Sequence, residues 1–270
     1  MLSIIADSRG MFFWRRMVRG WRDWIPTDCP LCEGKAAGAR LCAGCAHDIT
    51  QAMREAGPRC ARCAQRGTAG TLVCRACAAV TPNFESVIAA FDYEAPFDSL
   101  IARYKTEHRF GLSTTLAHLL AQAVAHAGGL SPWQGSTSAS ASVLVPIPSS
   151  AASLRRRGFN PAGELAASLG AELHLPVRRD VLRRRREGPR QAYSGRAARH
   201  LAAQGLFETV GRLEGWSVGL VDDVMTTGAT VNAASAALLR AGAARVVVLV
   251  AARTPWRQPP TDGAEAAAPQ

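Results

Sequence analysis

Apolar positions along the chain fall into short continuous runs and into longer stretches in which they recur every three or four residues. The short runs, rich in valine and leucine, are typical of strands buried on both faces of a parallel sheet. The longer stretches predict amphipathic helices. We expect strands at 86–91, 143–147, 177–182, 218–221 and 246–251, and helices at 97–107, 112–127, 161–173 and 231–241. This alternation predicts an α/β fold with a parallel sheet flanked by helices.

Composition divides the 270-residue chain into four parts. Residues 1–28 are basic, with apolar positions three and four apart, which predicts an amphipathic helix that packs on the protein or contacts a membrane surface or nucleic acid. Residues 29–82 contain all the cysteines and few large apolar side chains. Residues 83–253 carry the strands and helices, interrupted by a Gly/Ser-rich insertion at 128–142. Residues 254–270 are rich in Pro and Ala, and we expect them to be disordered.

The eight cysteines form four Cys-x-x-Cys pairs, Cys29/Cys32, Cys42/Cys45, Cys60/Cys63 and Cys74/Cys77. Each pair aims two sulfurs at one centre, and two pairs complete a tetrahedral site that suits zinc. We therefore predict a double zinc ribbon with two structural zinc ions; iron is the competing metal, and disulfides are disfavoured in a cytoplasmic chain. Pairs adjacent in the sequence are expected to share a metal, although an interleaved arrangement fits the spacing too. Such closed sites organise the fold, and the module is a candidate docking surface for protein or nucleic acid.

The motif with the strongest functional signal follows the strand at 218–221. Two carboxylates come first, then a turn with a glycine and hydroxyl side chains, and then a helix. These residues are Asp222, Asp223, Val224, Met225, Thr226, Thr227, Gly228, Ala229 and Thr230. The start of a helix offers unpaired backbone N–H groups to an anion, and carboxylates accept hydrogen bonds from vicinal hydroxyls. The stretch therefore predicts a binding site for a sugar phosphate.

A second polar cluster follows the strand at 143–147. It combines a rigid turn, whose N–H and O–H groups suit an anion, with arginines, whose guanidinium groups bind phosphate oxygens. The residues are Pro148, Ser149, Ser150, Arg155, Arg156 and Arg157. Lys105, near the end of the helix at 97–107, either stabilises the helix dipole or binds a phosphate. The arginines at 183–186 begin a basic loop that either covers a ligand or contacts nucleic acid.

Charge and hydropathy narrow the classes of partner. The net charge is +11, and residues 143–200 alone carry eight more basic than acidic residues. Such a surplus attracts polyanions, whether pyrophosphate or nucleic acid. Because no uninterrupted apolar run reaches 18 residues and the N-terminus lacks signal-peptide features, we expect no transmembrane segment and a cytoplasmic protein.

The acid pair and the threonine-rich turn resemble the phosphoribosyl-pyrophosphate motif of type I phosphoribosyltransferases. The order of motifs over residues 26–256 resembles the ComF-type competence proteins. It comprises the cysteine pairs, Tyr104-Lys105, Val145-Pro146-Ile147-Pro148, Arg157-Gly158-Phe159-Asn160, Gln191, Arg196, Arg199, Phe207 and the Asp222-Asp223 motif. Pro161 and Ala202 depart from the family pattern, in the stretch thought to bind a substrate other than the sugar phosphate.

The resemblance implies a type I phosphoribosyltransferase-like sheet preceded by a small N-terminal double zinc ribbon. It also implies that residues 222–230 hold the ribose and 5′-phosphate of phosphoribosyl pyrophosphate, and that the loop at 148–150 holds the pyrophosphate with magnesium. The family is associated with natural competence and the handling of incoming single-stranded DNA.

Two classes of function remain open from the sequence. One is an enzyme that transfers the pentosyl group, including a salvage-type phosphoribosyltransferase with an unknown acceptor. The other is a non-catalytic nucleotide sensor or scaffold that recruits single-stranded DNA or recombination and restart proteins. Glutamine-dependent ammonia transfer is disfavoured, because no cysteine lies outside the four pairs to act as a nucleophile.

Overall fold

The computed structural model describes residues 24–38, 40–67, 71–107, 109–129, 142–185 and 205–256. Several predictions from the sequence therefore fall outside the described residues. These are most of the basic N-terminal segment, most of the Gly/Ser-rich insertion, the basic loop beyond Arg185 and the tail beyond Trp256.

Seven helices and eight strands occur in the described residues. In chain order they are β1 Pro26–Asp28, β2 Lys35–Ala37, α1 Ala43–Glu55, α2 Arg75–Ala79, β3 Ser86–Asp92, α3 Asp98–Thr106, α4 Leu112–His126, β4 Ser142–Pro146, α5 Ala151–Arg157, α6 Pro161–Leu173, β5 Leu182–Arg184, β6 Phe207–Thr209, β7 Ser217–Met225, α7 Ala229–Arg240 and β8 Arg245–Arg253.

A four-stranded sheet with the order β3-β8-β7-β4 forms the centre of the fold, and all three of its pairings are parallel. The predicted fold class is confirmed. Two antiparallel pairs accompany the sheet, β1 with β2 and β5 with β6. Because the four central strands run in one direction, their carboxyl ends and the loops that follow them meet at one edge.

Both faces of the sheet are buried, which is why its strands read as continuous apolar runs. Alternate residues of β8 belong to two different apolar clusters: Val246, Val248 and Val250 to one, Val247, Leu249 and Ala251 to the other. The first cluster includes α7 and the β5–β6 pair, and the second includes α3, α4 and α6. Within the described residues, no helix combines the length and apolar character needed to cross a membrane.

The cysteine-containing segment packs against both sides of this core. Ile49 of α1 belongs to the cluster that contains Phe91 and Leu249. Cys60 and Cys63 belong to the opposite cluster. The two halves of the cysteine segment therefore contact opposite faces of one sheet.

The predicted strand at 177–182 is wrong in its bounds. Val177 makes only an isolated bridge to Leu144, and the strand in this region, β5, pairs with β6. Helix α5 was not predicted, because it is only seven residues long and none of its residues is fully buried. A short helix without a buried face leaves no apolar periodicity in the sequence.

Candidate functional site

Strand β7 extends four residues beyond the last paired residue of its neighbour β4. Pro146 at the end of β4 lies opposite Val221, whereas β7 continues to Met225 along β8. The sequence predicted that the strand ends before the acidic residues, but Asp222 and Asp223 lie on this overhang. We refer to these two residues as the acid pair. The overhang places them beside the loop that follows β4.

An ion pair fixes one member of the acid pair. Lys105 Nζ lies 2.8 Å from Asp223 Oδ2, and both side chains are largely buried. The preceding residue, Tyr104, anchors α3 because its hydroxyl donates a hydrogen bond of 2.8 Å to the carbonyl of Pro161. Lys105 is thus positioned as the counter-ion of Asp223. From the sequence we expected it either to stabilise the helix dipole or to bind a phosphate, and neither interpretation included this ion pair.

The second member of the acid pair has an unusual charge state. Burial, together with the negative charge of Asp223, raises the pKa of Asp222 to about 8, and Lys105 opposes this shift only in part. At neutral pH in the free protein, the carboxyl group of Asp222 is therefore mainly protonated. A ligand that binds the carboxylate of Asp222 has to displace a proton.

The turn after β7 and the first two residues of α7 together span residues 226–230, which we call the threonine loop. Gly228 has a φ of 82°, in the left-handed region that favours glycine, and directly precedes α7. A Cβ at this position would lie 2.6 Å from Cε of the buried Met225. Glycine therefore permits the tight turn into α7, and the first N–H groups of a helix have no acceptor within the helix itself. Thr226 is exposed and Thr230 lines a cleft, so the loop is open to a ligand.

The serine loop, residues 148–150, faces the acid pair from the end of β4. Ser149 Oγ donates to Asn160 Oδ1 at 2.9 Å, and the same amide donates to the carbonyl of Ile147 at 3.0 Å. Ser150 caps α5 by accepting a hydrogen bond from the N–H of Ser153. Asn160 therefore connects the end of β4 to the start of α6 and holds the serine loop in place.

These elements enclose a cleft of about 210 Å³. Its lining combines the serine loop, the acid pair, one residue each of the threonine loop and β5, and residues of α5 and α6. The lining residues are Ile147, Pro148, Ser149, Ser150, Ser153, Arg157, Asn160, Pro161, Ala162, Arg184, Asp222, Asp223 and Thr230. A larger cavity of about 460 Å³ lies between α1, β3 and α4, but its lining is mainly apolar and includes neither loop nor the acid pair.

The cleft contains some of the predicted site residues and not others. Pro148, Ser149, Ser150 and Arg157 line it, whereas Arg155 and Arg156 are exposed and do not. Three polar lining residues, Ser153, Asn160 and Arg184, were not among the predicted site residues. Asn160 belongs to the motif Arg157-Gly158-Phe159-Asn160, which carries part of the family resemblance. Arg184 lies within the basic run at 183–186, for which both ligand binding and nucleic-acid contact were left open.

The cysteines form two groups of four, and within each group all the sulfurs lie within 4.8 Å of one another. The first cysteine cluster is Cys29, Cys32, Cys42 and Cys45, and the second is Cys60, Cys63, Cys74 and Cys77. Pairs adjacent in the sequence therefore share a site, as predicted. The Sγ atoms of Cys32 and Cys42 are 3.6 Å apart and those of Cys63 and Cys74 are 3.7 Å apart. Tetrahedral zinc with Zn–S bonds of about 2.3 Å places its sulfurs roughly 3.8 Å apart, so the thiols fit such an ion.

The two clusters are structural repeats. The backbone turns that follow the first pair of each cluster contain a left-handed residue, Glu33 in one and Ala64 in the other. Burial alone would raise the pKa of Cys29 and Cys60, but neighbouring backbone N–H groups outweigh it and lower the values to about 6 and about 7. One thiol in each cluster is thus prepared to bind a cation as a thiolate.

Replacing Asp222 with asparagine tests the charge state of the acid pair. In the unfolded chain this carboxyl titrates near pH ~4, whereas in the folded protein its pKa is about 8. Between these values the folded state holds a proton that the unfolded state has released, so the free energy of unfolding falls as the pH rises. We expect the thermal midpoint of Asp222→Asn to exceed that of the wild type by more at pH ~9 than at pH ~6, by on the order of 2–4 °C for each kcal/mol of charge repulsion removed.

Asp180→Asn is the matched control, because the Arg178 guanidinium lowers the pKa of this exposed carboxyl to about 2. Its titration lies below the tested range, so its difference from the wild type should stay constant. Thermal unfolding followed by circular dichroism provides the measurement. An Asp222→Asn difference that does not vary between the two pH values would contradict the assigned charge state.

Comparison with known proteins gives the family context of this site. Residues 152–264 match the model of the phosphoribosyl transferase domain. The chain is 28% identical over 232 residues to the DNA utilization protein YhgH of Escherichia coli (strain K12), which covers 85% of this chain and 98% of that protein. It is 27% identical over 230 residues to Competence protein F of Haemophilus influenzae, which covers 83% of this chain and 96% of that protein. Competence protein ComFC of Bacillus subtilis is 37% identical over 106 residues, 39% of this chain and 41% of that protein. The chain thus contains a phosphoribosyl transferase domain and is similar over most of its length to proteins named for DNA utilization and for competence.

Proposed function

We propose that the cleft binds phosphoribosyl pyrophosphate together with Mg²⁺, and that the chain uses this site in the handling of DNA. The observation that carries the proposal is that one cleft contains the acid pair, Thr230 of the threonine loop and the serine loop. Carboxylates suit a ribose diol, and a helix start and a serine-rich turn suit two separate phosphate groups. A sugar with a phosphate at one end and a pyrophosphate at the other has this arrangement of groups.

In the proposed complex, the 5′-phosphate binds the N–H groups and hydroxyls of the threonine loop. The ribose hydroxyls donate to Asp222 and Asp223. The pyrophosphate lies at the serine loop, where Arg157 supplies a guanidinium group from the lining of the cleft. Mg²⁺ would neutralise charge on the pyrophosphate, and it commonly keeps several waters and uses substrate oxygens as ligands.

With an acceptor present, the same arrangement favours transfer of the phosphoribosyl group. The lone pair of the acceptor forms a bond to ribose C1 while the bond from C1 to the pyrophosphate oxygen breaks, and pyrophosphate leaves with that electron pair. The part of the chain would be to orient the ribose and to stabilise the charge that develops on the leaving group. Binding without release of pyrophosphate to any acceptor would instead favour a nucleotide sensor or scaffold.

The two cysteine clusters are proposed to hold zinc. Four sulfurs with the spacing described above leave no position for a substrate, so each ion would be structural. Each ion would also stabilise a segment that has few large apolar side chains of its own. Iron fits the same four-sulfur geometry, and elemental analysis separates the two metals.

Replacing both members of the acid pair tests the proposed site. We expect Asp222→Asn with Asp223→Asn to weaken binding of Mg²⁺ and phosphoribosyl pyrophosphate by at least about 100-fold, because charge-assisted hydrogen bonds to the ribose are lost. Isothermal titration calorimetry measures the affinity, and elemental analysis of the same samples should give unchanged metal content. Asp180→Asn, which removes an exposed carboxylate paired with Arg178, should bind as the wild type does. Full affinity in the double variant would refute the assignment of this site.

A second candidate function is direct contact with single-stranded DNA, and the exposed arginines of α5 favour it. Arg155 and Arg156 are exposed, and no ion pair involves them in the part of the chain that the structure describes. Unlike Arg157, they do not line the cleft. Two relatives are named for DNA utilization and for competence. Unpaired surface guanidinium groups are suited to a phosphate backbone.

The salt dependence of DNA binding tests this candidate. A contact with two phosphates of a single strand contributes about 1.4 to the slope of log K against log salt concentration. We expect Arg155→Ala with Arg156→Ala to lower the slope by that amount, measured by fluorescence anisotropy with a labelled oligonucleotide. Arg178→Ala with Arg179→Ala is the control, because Asp180 and Glu164 already pair with these two arginines. Equal slopes for the wild type and the Arg155/Arg156 variant would exclude this surface.

A further inference from the structure

A buried arginine connects the second cysteine cluster to the threonine loop. Arg253, the last residue of β8, is only 2% exposed. Its Nε donates to the carbonyl of Cys63 at 3.0 Å. Its Nη1 donates to the carbonyls of Met225 at 3.0 Å and Thr226 at 2.5 Å. One planar guanidinium group therefore contacts a cysteine of the cluster and the start of the proposed phosphate-binding loop.

This arrangement constrains both partners because a buried guanidinium group needs its acceptors. Nη1 also donates to the carbonyl of Thr254 at 2.8 Å. Water has little access to Arg253, so a carbonyl that moves away weakens the hydrogen bonding of a buried charge. The guanidinium group is also rigid and planar, which fixes the relative positions of the groups it contacts. A shift of the Cys60–Cys63 turn would thus disturb the carbonyls at the start of the threonine loop.

The turn of the second cluster is itself attached to the same edge of the sheet. Asp92, at the end of β3, accepts hydrogen bonds of 2.9 and 2.8 Å from Arg59 and one of 2.8 Å from Nε of Arg66. These two arginines flank the Cys60–Cys63 turn in the sequence. Asp92 is aligned with Arg253 across β3 and β8, and Arg253 is aligned with Met225 across β8 and β7. Three neighbouring strand ends therefore hold the turn and the loop together.

Apolar packing supports the same connection independently. Three cysteines of the second cluster belong to one apolar cluster with one residue of the threonine loop and the two residues that flank the loop. They are Cys60, Cys63 and Cys77 on one side and Met225, Ala229 and Val231 on the other. The first cysteine cluster lies beside α1, whose Ile49 packs into the opposite apolar cluster. The two metal sites are thus expected to differ in their influence on the loop.

We propose that Arg253 is a positioning residue that transmits the state of the second cysteine cluster to the threonine loop. Sugar-phosphate binding would then depend on the metal in the second cluster and not on the metal in the first. This inference rests on the proposed function for its ligand. It assigns the second cluster a role in shaping the binding site, beyond the folding of its own segment.

Two matched double variants of the full-length protein test this asymmetry. Cys74→Ser with Cys77→Ser opens the second cluster, and Cys42→Ser with Cys45→Ser opens the first at the equivalent pairs. Elemental analysis should show that each variant loses one of two metal ions per chain. We expect the second-cluster variant to bind Mg²⁺ and phosphoribosyl pyrophosphate about tenfold or more weakly, and the first-cluster variant to remain within about twofold of the wild type. Equal losses in both variants would overturn the proposal.

Replacement of Arg253 tests the connection itself. Arg253→Met should keep both metal ions and lose about tenfold or more in affinity, because the metal sites remain while the connection is removed. Arg253→Lys, which keeps the charge but not the planar donor group, provides the same test if the methionine variant does not fold. An Arg253 variant that folds and binds as the wild type does would overturn the proposal.

Amide hydrogen exchange followed by mass spectrometry separates this inference from the proposed function. Peptides that contain residues 226–230 should exchange faster in the Arg253 and second-cluster variants, while peptides from β4 remain unchanged. This measurement needs no ligand. If the wild type fails to bind phosphoribosyl pyrophosphate, the proposed function is wrong, and the exchange of the threonine loop alone decides whether Arg253 holds it. Unchanged exchange in both variants would refute the connection.

Discussion

The parallel alignment of four strands is the constraint on which the rest of this structure depends. Because β3, β8, β7 and β4 run in one direction, every loop after a strand lies at the same edge. The lengths of the strands then decide what meets there: β7 extends four residues beyond the last paired residue of β4. The acid pair on this overhang faces the serine loop, and the threonine loop follows directly. The buried, parallel strands thus bring together polar groups that lie more than 70 residues apart along the chain.

Several charged side chains at this edge of the sheet are buried, although their burial adds little net stability to the fold. Ion pairs such as Asp92 with Arg59 and Arg66 contribute little net stability, because desolvation offsets most of their attraction, but removal of one partner is costly. Burial alone would raise the pKa of Asp92, and the two arginines lower it. Lys105 forms an ion pair with Asp223, while Asp222 has a raised pKa of about 8. These contacts fix the geometry of the cleft for which we propose a highly charged ligand, and perturbed carboxyl groups are common at such sites.

Much of the fold could be predicted because its central elements are buried and periodic. Helix α6 begins and ends where the apolar spacing and Pro161 place it, and the two cysteine clusters follow from the spacing of their pairs. Contacts between segments that are far apart in the sequence produce no such spacing pattern. The pairing of β5 with β6 spans more than 20 residues, and Arg253 donates to a carbonyl 190 residues away in the chain. Likewise, the extension of β7 through the acid pair reflects its register with β8, which the polarity of Asp222 and Asp223 conceals.

The central claim is that the edge of the sheet is shaped for a ribose with a phosphate at each end, and a crystal structure of the protein with phosphoribosyl pyrophosphate and Mg²⁺ tests it most directly. We predict electron density for the 5′-phosphate against the N–H groups of residues 226–230, for the ribose hydroxyls at the acid pair, and for the pyrophosphate at the serine loop. Density for the ligand anywhere else on the protein, with the cleft filled only by solvent, would contradict it.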